Sequence, residues 1–111
     1  MNLTMKAMTA GFAMAAALMT TGARAADTTA VEISKFAFAP KEITIKPGTR
    51  VRWVNRDETP HTVTSVKPSK LLASKALDTD DAFEFTFTTE GDFAYLCAVH
   101  PMMTGVVHVH K

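Results

Sequence analysis

The sequence predicts an all-β fold: a single Greek-key β-sandwich over residues 26–111, preceded by a removable leader. Three observations lead there. No stretch of that region sustains a helical period. Short runs instead alternate apolar with polar residues, and turn-forming residues break them at close intervals. Roughly seven short strands, each with one apolar face, can bury those faces only by laying sheet on sheet.

The elements follow in order. Val31 and Ile33 alternate with polar neighbours, and the phase slips near Lys35, before Phe36 and Phe38, which suggests a bulge. Ile43 and Ile45 alternate with Glu42, Thr44 and Lys46. Lys46-Pro47-Gly48 reads as a tight turn, with proline presetting its own φ and glycine free to take a positive one. Val51 and Trp53 share a face, with Arg52 and Arg56 outside it, and Val63 lies in a Thr/Val-rich run from His61 to Val66. Leu71-Leu72-Ala73 and Ala76-Leu77 break the alternation and suit a short helical turn. Phe83, Phe85 and Phe87 alternate with Glu84, Thr86 and Thr88 in the clearest strand of the chain. Phe93, Tyr95 and Cys97 mark another, and Val106 to His110 the last. Trp53 and the phenylalanine row are assigned to the core.

The first 25 residues have the order of a secretory signal: a basic start ending at Lys6, an apolar run over 7–19, and small residues at Ala23-Arg24-Ala25 for cleavage after Ala25. An uncleaved anchor is the other reading, but the apolar run is short for a bilayer and no second one follows, so no stable membrane insertion is expected. Export is expected to place the protein in the periplasm. Cleavage leaves 86 of the 111 residues, and loss of Lys6 and Arg24 turns 12 basic and 11 acidic residues into 10 and 11. A near-neutral domain offers no electrostatic case for nucleic acid or anionic lipid as partner.

Cys97 is the sole cysteine, so it makes no internal disulfide. It is either a buried inert thiol or a thiolate occupied by a metal, and its neighbours favour the second. Cys97-Ala98-Val99-His100-Pro101-Met102-Met103 supplies a thiolate, an imidazole and a thioether within seven residues, directly after a strand. A second imidazole, His61, stands upstream in Thr59-Pro60-His61-Thr62. Two His and one Cys in a plane with a weak axial Met form the blue-copper set, whose mixed softness serves both cuprous and cupric ions. Zinc could also occupy a Cys/His₂ site, and Met102 is an alternative axial donor; the thioether and single thiolate favour copper.

On these residues the sequence resembles the cupredoxins, and among them the amicyanins, across nearly all of residues 26–111. The resemblance is carried by Val51-Arg52-Trp53-Val54-Asn55-Arg56, Pro60-His61, Phe85-Thr86-Phe87 and the short Cys97-x-x-His100-x-x-Met103 loop. It implies a cupredoxin-like sandwich with one type 1 copper ion, His61, Cys97 and His100 as strong ligands, and Met103 as the axial one. It further implies a periplasmic one-electron carrier, monomeric, docking transiently to redox proteins such as a dehydrogenase and a c-type cytochrome. A copper storage or delivery protein is the alternative. An enzyme is not expected: related oxidases and nitrite reductases set a His beside the Cys, whereas Leu96 and Ala98 flank Cys97 here.

Two positions depart from the amicyanin pattern. Thr62 replaces an Asn whose side chain ties two ligand loops together, and its hydroxyl can supply one such bond rather than two. Val99 replaces a Pro and keeps its N–H, which is expected to reach the Cys97 sulfur alongside the Thr62 amide. Elsewhere, His108 and His110 share a strand face and are either an adventitious metal site or two exposed imidazoles. Asp78, Asp80 and Asp81 either orient a partner or form a solvated loop.

Overall fold

The computed structural model describes residues 27–111; the signal segment read over residues 1–25 lies outside them. Eight strands follow: β1 (Thr28–Ser34), β2 (Ala37–Ala39), β3 (Glu42–Ile45), β4 (Thr49–Asn55), β5 (Thr64–Ser65), β6 (Ala82–Phe87), β7 (Gly91–Leu96) and β8 (Thr104–Val109). They form two four-stranded sheets, ordered β2-β1-β4-β6 and β3-β8-β7-β5, so consecutive strands repeatedly change sheet. Both sheets are mixed, with β1 parallel to β4 and β3 parallel to β8. The expected sandwich is present, and no helix occurs among the described residues.

The period-2 pattern explains the packing. Val31 and Ile33 of β1, Val51 and Trp53 of β4, Phe87 of β6, Tyr95 of β7, and Val107 and Val109 of β8 all point into the space between the sheets. Trp53 is fully buried and packs edge-on against Tyr95, with ring centroids 5.4 Å apart. Each such side chain contributes roughly 1.5–3 kcal/mol by leaving water, which is how a chain this short holds two sheets together.

Two local expectations are corrected. The phase slip near Lys35 is not a bulge but a hairpin turn: Ser34 pairs with Ala37, and Lys35 and Phe36 between them take φ of 55° and 57°. Two successive positive φ values make the two-residue turn that matches strand twist. Nor do Leu71–Leu77 coil into a helical turn. The segment runs extended across the end of β5, with Thr64 bridged to Ala73 and His61 to Leu77, which buries Leu72 and Leu77. The Pro47-Gly48 turn forms as read, with Gly48 at φ 96° and the Thr49 N–H bonded to the Lys46 carbonyl at 3.1 Å.

Candidate metal centre

Three loops meet at one end of the sandwich: the Lys35-Phe36 turn, the segment between β4 and β5, and the loop joining β7 to β8. The last is built from two consecutive tight turns. The His100 N–H bonds the Cys97 carbonyl at 3.1 Å, and the Met103 N–H bonds the His100 carbonyl at 2.9 Å. Turns of three residues eclipse positions three apart, so Cys97, His100 and Met103 share a side while Val99 and Met102 face out. Burial follows: Cys97 is 0% and Met103 6% exposed, against 58% for Val99 and 94% for Met102. Met102, the alternative axial donor, stands in solvent.

His61 arrives from the other loop. Its backbone exchanges two hydrogen bonds with Leu77, at 3.1 and 2.8 Å, and its side chain is fully buried. The ring Nε2 lies 2.9 Å from Asp57 Oδ2, which leaves Nδ1 facing Cys97 Sγ at 3.7 Å. A carboxylate on the outer nitrogen of a ligating imidazole fixes its tautomer and its aim. Asp57 in turn accepts the Lys35 and Phe36 N–H groups at 2.7 and 2.9 Å, pinning the positive-φ turn. Burial works against its charge, but these two amides and His61 outweigh burial and hold the carboxyl below its usual range. Buried Asn55 braces the same segment, donating to the Thr59 and Leu77 carbonyls at 3.0 and 2.9 Å and accepting the Asp57 N–H at 3.0 Å.

The Cys97 sulfur lies 3.8 Å from His100 Nδ1 and accepts the Thr62 N–H at 3.4 Å. Burial pushes the thiol up, yet the Thr62 amide, the two imidazoles and the His100 amide bring it down to about 6. These contacts favour the thiolate, the form a metal ligand requires. The expectation for Val99 fails: among the described residues its amide makes no bond to the sulfur, and His100, one residue on, supplies the second backbone influence. The expectation for Thr62 holds. Its hydroxyl accepts the Ala98 N–H at 2.8 Å, one tie between the two ligand loops, and is 2.9 Å from the Thr64 hydroxyl.

The donor spacing fits a trigonal metal. Bonds of about 2.3 Å to sulfur and about 2.0 Å to nitrogen, spread at 120°, set sulfur and nitrogen about 3.7 Å apart; the two observed separations are 3.7 and 3.8 Å. All three donor atoms lie within 4.8 Å of one another. Over them sits Phe36, half-exposed, its ring 5.0 Å from each histidine ring and edge-on to both. Sequence reasoning missed Asp57, Asn55 and Phe36 as parts of the site. For Asp57 the available signal was its position four residues before His61; Phe36 carried none, because its turn was misread.

A family model described as a cupredoxin-like domain matches residues 7–109. This chain belongs to the cupredoxin family. Its cofactor class is the type 1 copper ion, and the donors above suit it. The chain is 36% identical over 87 residues to amicyanin from Paracoccus versutus, covering 76% of this chain and 66% of the relative. It is 34% identical over 82 residues to amicyanin from Paracoccus denitrificans, covering 71% and 63%. The match thus spans just under two thirds of those relatives' length. Among solved structures, amicyanin from Paracoccus versutus superposes with a TM-score of 0.70 at 34% identity, covering 78% of this chain and 85% of that one. A copper-containing nitrite reductase from Thermus scotoductus superposes with a TM-score of 0.71 at 27% identity, over 81% of this cupredoxin but 24% of the reductase chain.

Proposed function

We propose that this cupredoxin is an exported one-electron carrier, whose single copper would be held by His61, Cys97, His100 and Met103. The carrying observation is the pairing of a closed donor set with one ligand near the surface. Cys97 and His61 are wholly buried, whereas His100 is partly exposed with its ring against Phe36, and its loop neighbours Val99, Pro101 and Met102 are exposed. A copper ion held there would supply one-electron chemistry between its cuprous and cupric states. Asp57 and the Thr62–Ala98 bond hold His61 and Cys97 in place, so little reorganises when charge arrives. His100 gives the electron its shortest way out. The apolar surface around it, with Pro60 also exposed, suits brief docking through a small interface, in keeping with partners such as a dehydrogenase and a c-type cytochrome and with a monomeric carrier. A storage or delivery protein needs ligands that an acceptor can reach, and the burial of Cys97 and His61 speaks for the carrier. Non-enzymatic action agrees with Leu96 and Ala98 as the neighbours of Cys97. The signal segment, cleaved after Ala25, directs the carrier to the periplasm.

The test is a redox titration followed by visible absorption. The copper-loaded protein should show an intense sulfur-to-copper band that bleaches and returns reversibly with one electron, and Cys97→Ala should lack it. A colourless protein purified with tightly bound zinc, or a band without a reversible couple, would overturn the carrier reading.

A further inference from the structure

The outer face of the β3-β8-β7 sheet carries a second convergence of metal-binding atoms, apart from the copper centre. β8 leads away from the ligand loop, and His108 stands five residues past Met103, roughly 16 Å along an extended strand. His108 and His110 are two apart and so share this outer face; Asp92 is the cross-strand partner of His108, and Glu42 lies diagonally across β3. The Asp92 Oδ1 atom is 2.7 Å from His108 Nδ1 and 3.3 Å from His110 Nε2. The two rings are nearly parallel, at 22°, with centroids 6.2 Å apart. One donor atom from each of Asp92, His108 and His110 falls within 4.8 Å of the others.

We propose that Asp92, His108 and His110 form an open, solvent-facing site for a divalent cation of the zinc class. Two imidazoles and a carboxylate are the three-protein-ligand arrangement of open zinc sites, in which water fills the remaining position. No thiolate takes part, so the site prefers a borderline divalent ion to cuprous copper. Glu42 completes it. Its Oε1 lies 3.0 Å from His108 Nε2, the nitrogen turned away from Asp92. A carboxylate there takes the ring's N–H and leaves the Nδ1 lone pair facing the ion, the same outer support that Asp57 gives His61. Without metal a proton serves instead: Asp92 and then Glu42 raise the His108 pKa. A cation replaces that proton with little rearrangement, since the carboxylates and His110 are exposed to more than half their side-chain area.

Isothermal titration of the copper-loaded protein with zinc chloride near pH 7.5, with the visible band recorded in parallel, tests this. One zinc per chain should bind with the blue band intact. His110→Gln and Asp92→Asn should each weaken binding at least tenfold, and Glu42→Gln about tenfold through loss of outer support; all three lie on the surface, and a retained blue band reports intact folding. Absence of saturable zinc binding would overturn the proposal. So would zinc that binds equally well to the His110→Gln and Asp92→Asn proteins, or zinc that bleaches the band by displacing copper.

Discussion

At Thr62 and Val99 the chain parts from the amicyanin pattern, and the two positions have opposite consequences. The Thr62 hydroxyl accepts the Ala98 N–H at 2.8 Å, so Thr62→Val removes that donor's partner. Ala98 is exposed and water can reach the freed N–H, so the loss is that of one net hydrogen bond, about 0.5–1.5 kcal/mol; chemical denaturation of the metal-free protein should show a loss of that size, with Thr62→Ser retaining most of the stability. Val99 tests the reverse. An amide donating to the sulfur with a differential worth of about 1 kcal/mol would set the potential roughly 40 mV higher. Its N–H makes no such bond, so Val99→Pro should leave the potential well within that margin by voltammetry; a drop of the full amount would restore the expectation drawn from sequence. The Cys97-x-x-His100-x-x-Met103 spacing was legible in one loop, and His61 as a ligand beside it through the family resemblance; the structure brings His61, Cys97 and His100 together. Asp57 and Asn55 were not legible, because their roles arise from bonds to backbone atoms that the sequence does not display: the Lys35 and Phe36 amides lie 22 and 21 residues from Asp57.

Strands were legible wherever one face is buried, since period-2 alternation records that burial directly. The misreadings fall where tertiary bonds overrule local preference. Lys35 and Phe36 adopt positive φ without a glycine because the Asp57 carboxylate holds both amides, and nothing in their own identity announces it. Leu72 is drawn out of a helical turn because its N–H donates to the Ser65 hydroxyl at 2.7 Å, while Ser65 N–H bonds the Leu72 carbonyl at 2.9 Å. In β8 a glycine matters for space rather than backbone angle. Gly105 pairs with Tyr95 across β7, and a Cβ there would overlap the Tyr95 Cζ and Oη. Tyr95 cannot yield, being buried and packed edge-on against Phe38 at 4.7 Å and Trp53 at 5.4 Å. Gly105→Ala should therefore cost roughly 1–3 kcal/mol of unfolding free energy, the range for overpacking a filled core. An unchanged denaturation midpoint would show that the Tyr95 ring can move aside.

On the scale of the whole molecule the two ends of β8 differ in character. Met103 enters it under an apolar surface, and His108 and His110 leave it among charges. Asp92 and Glu42 raise the His108 pKa, while His108, and then His110, lower that of Asp92. The signs fix a pH window. A raised histidine pKa contributes stability that is fully present below the unfolded value, about 6.5, and is lost as pH climbs through the folded value. A lowered aspartate pKa contributes stability present above the unfolded value, about 3.9, and lost as pH falls through the folded one. Both contributions coexist between those limits. Denaturation of the native chain and of His108→Gln, with a chelator present to exclude metal ions, should thus give the largest stability difference near pH 5.5 and a smaller one at pH 8.5. Because the groups are exposed, added salt should shrink the difference as well. A gap that stayed constant across this range, or widened toward alkaline pH, would mean that His108 gains its hold on the strand from packing and not from the two carboxylates beside it.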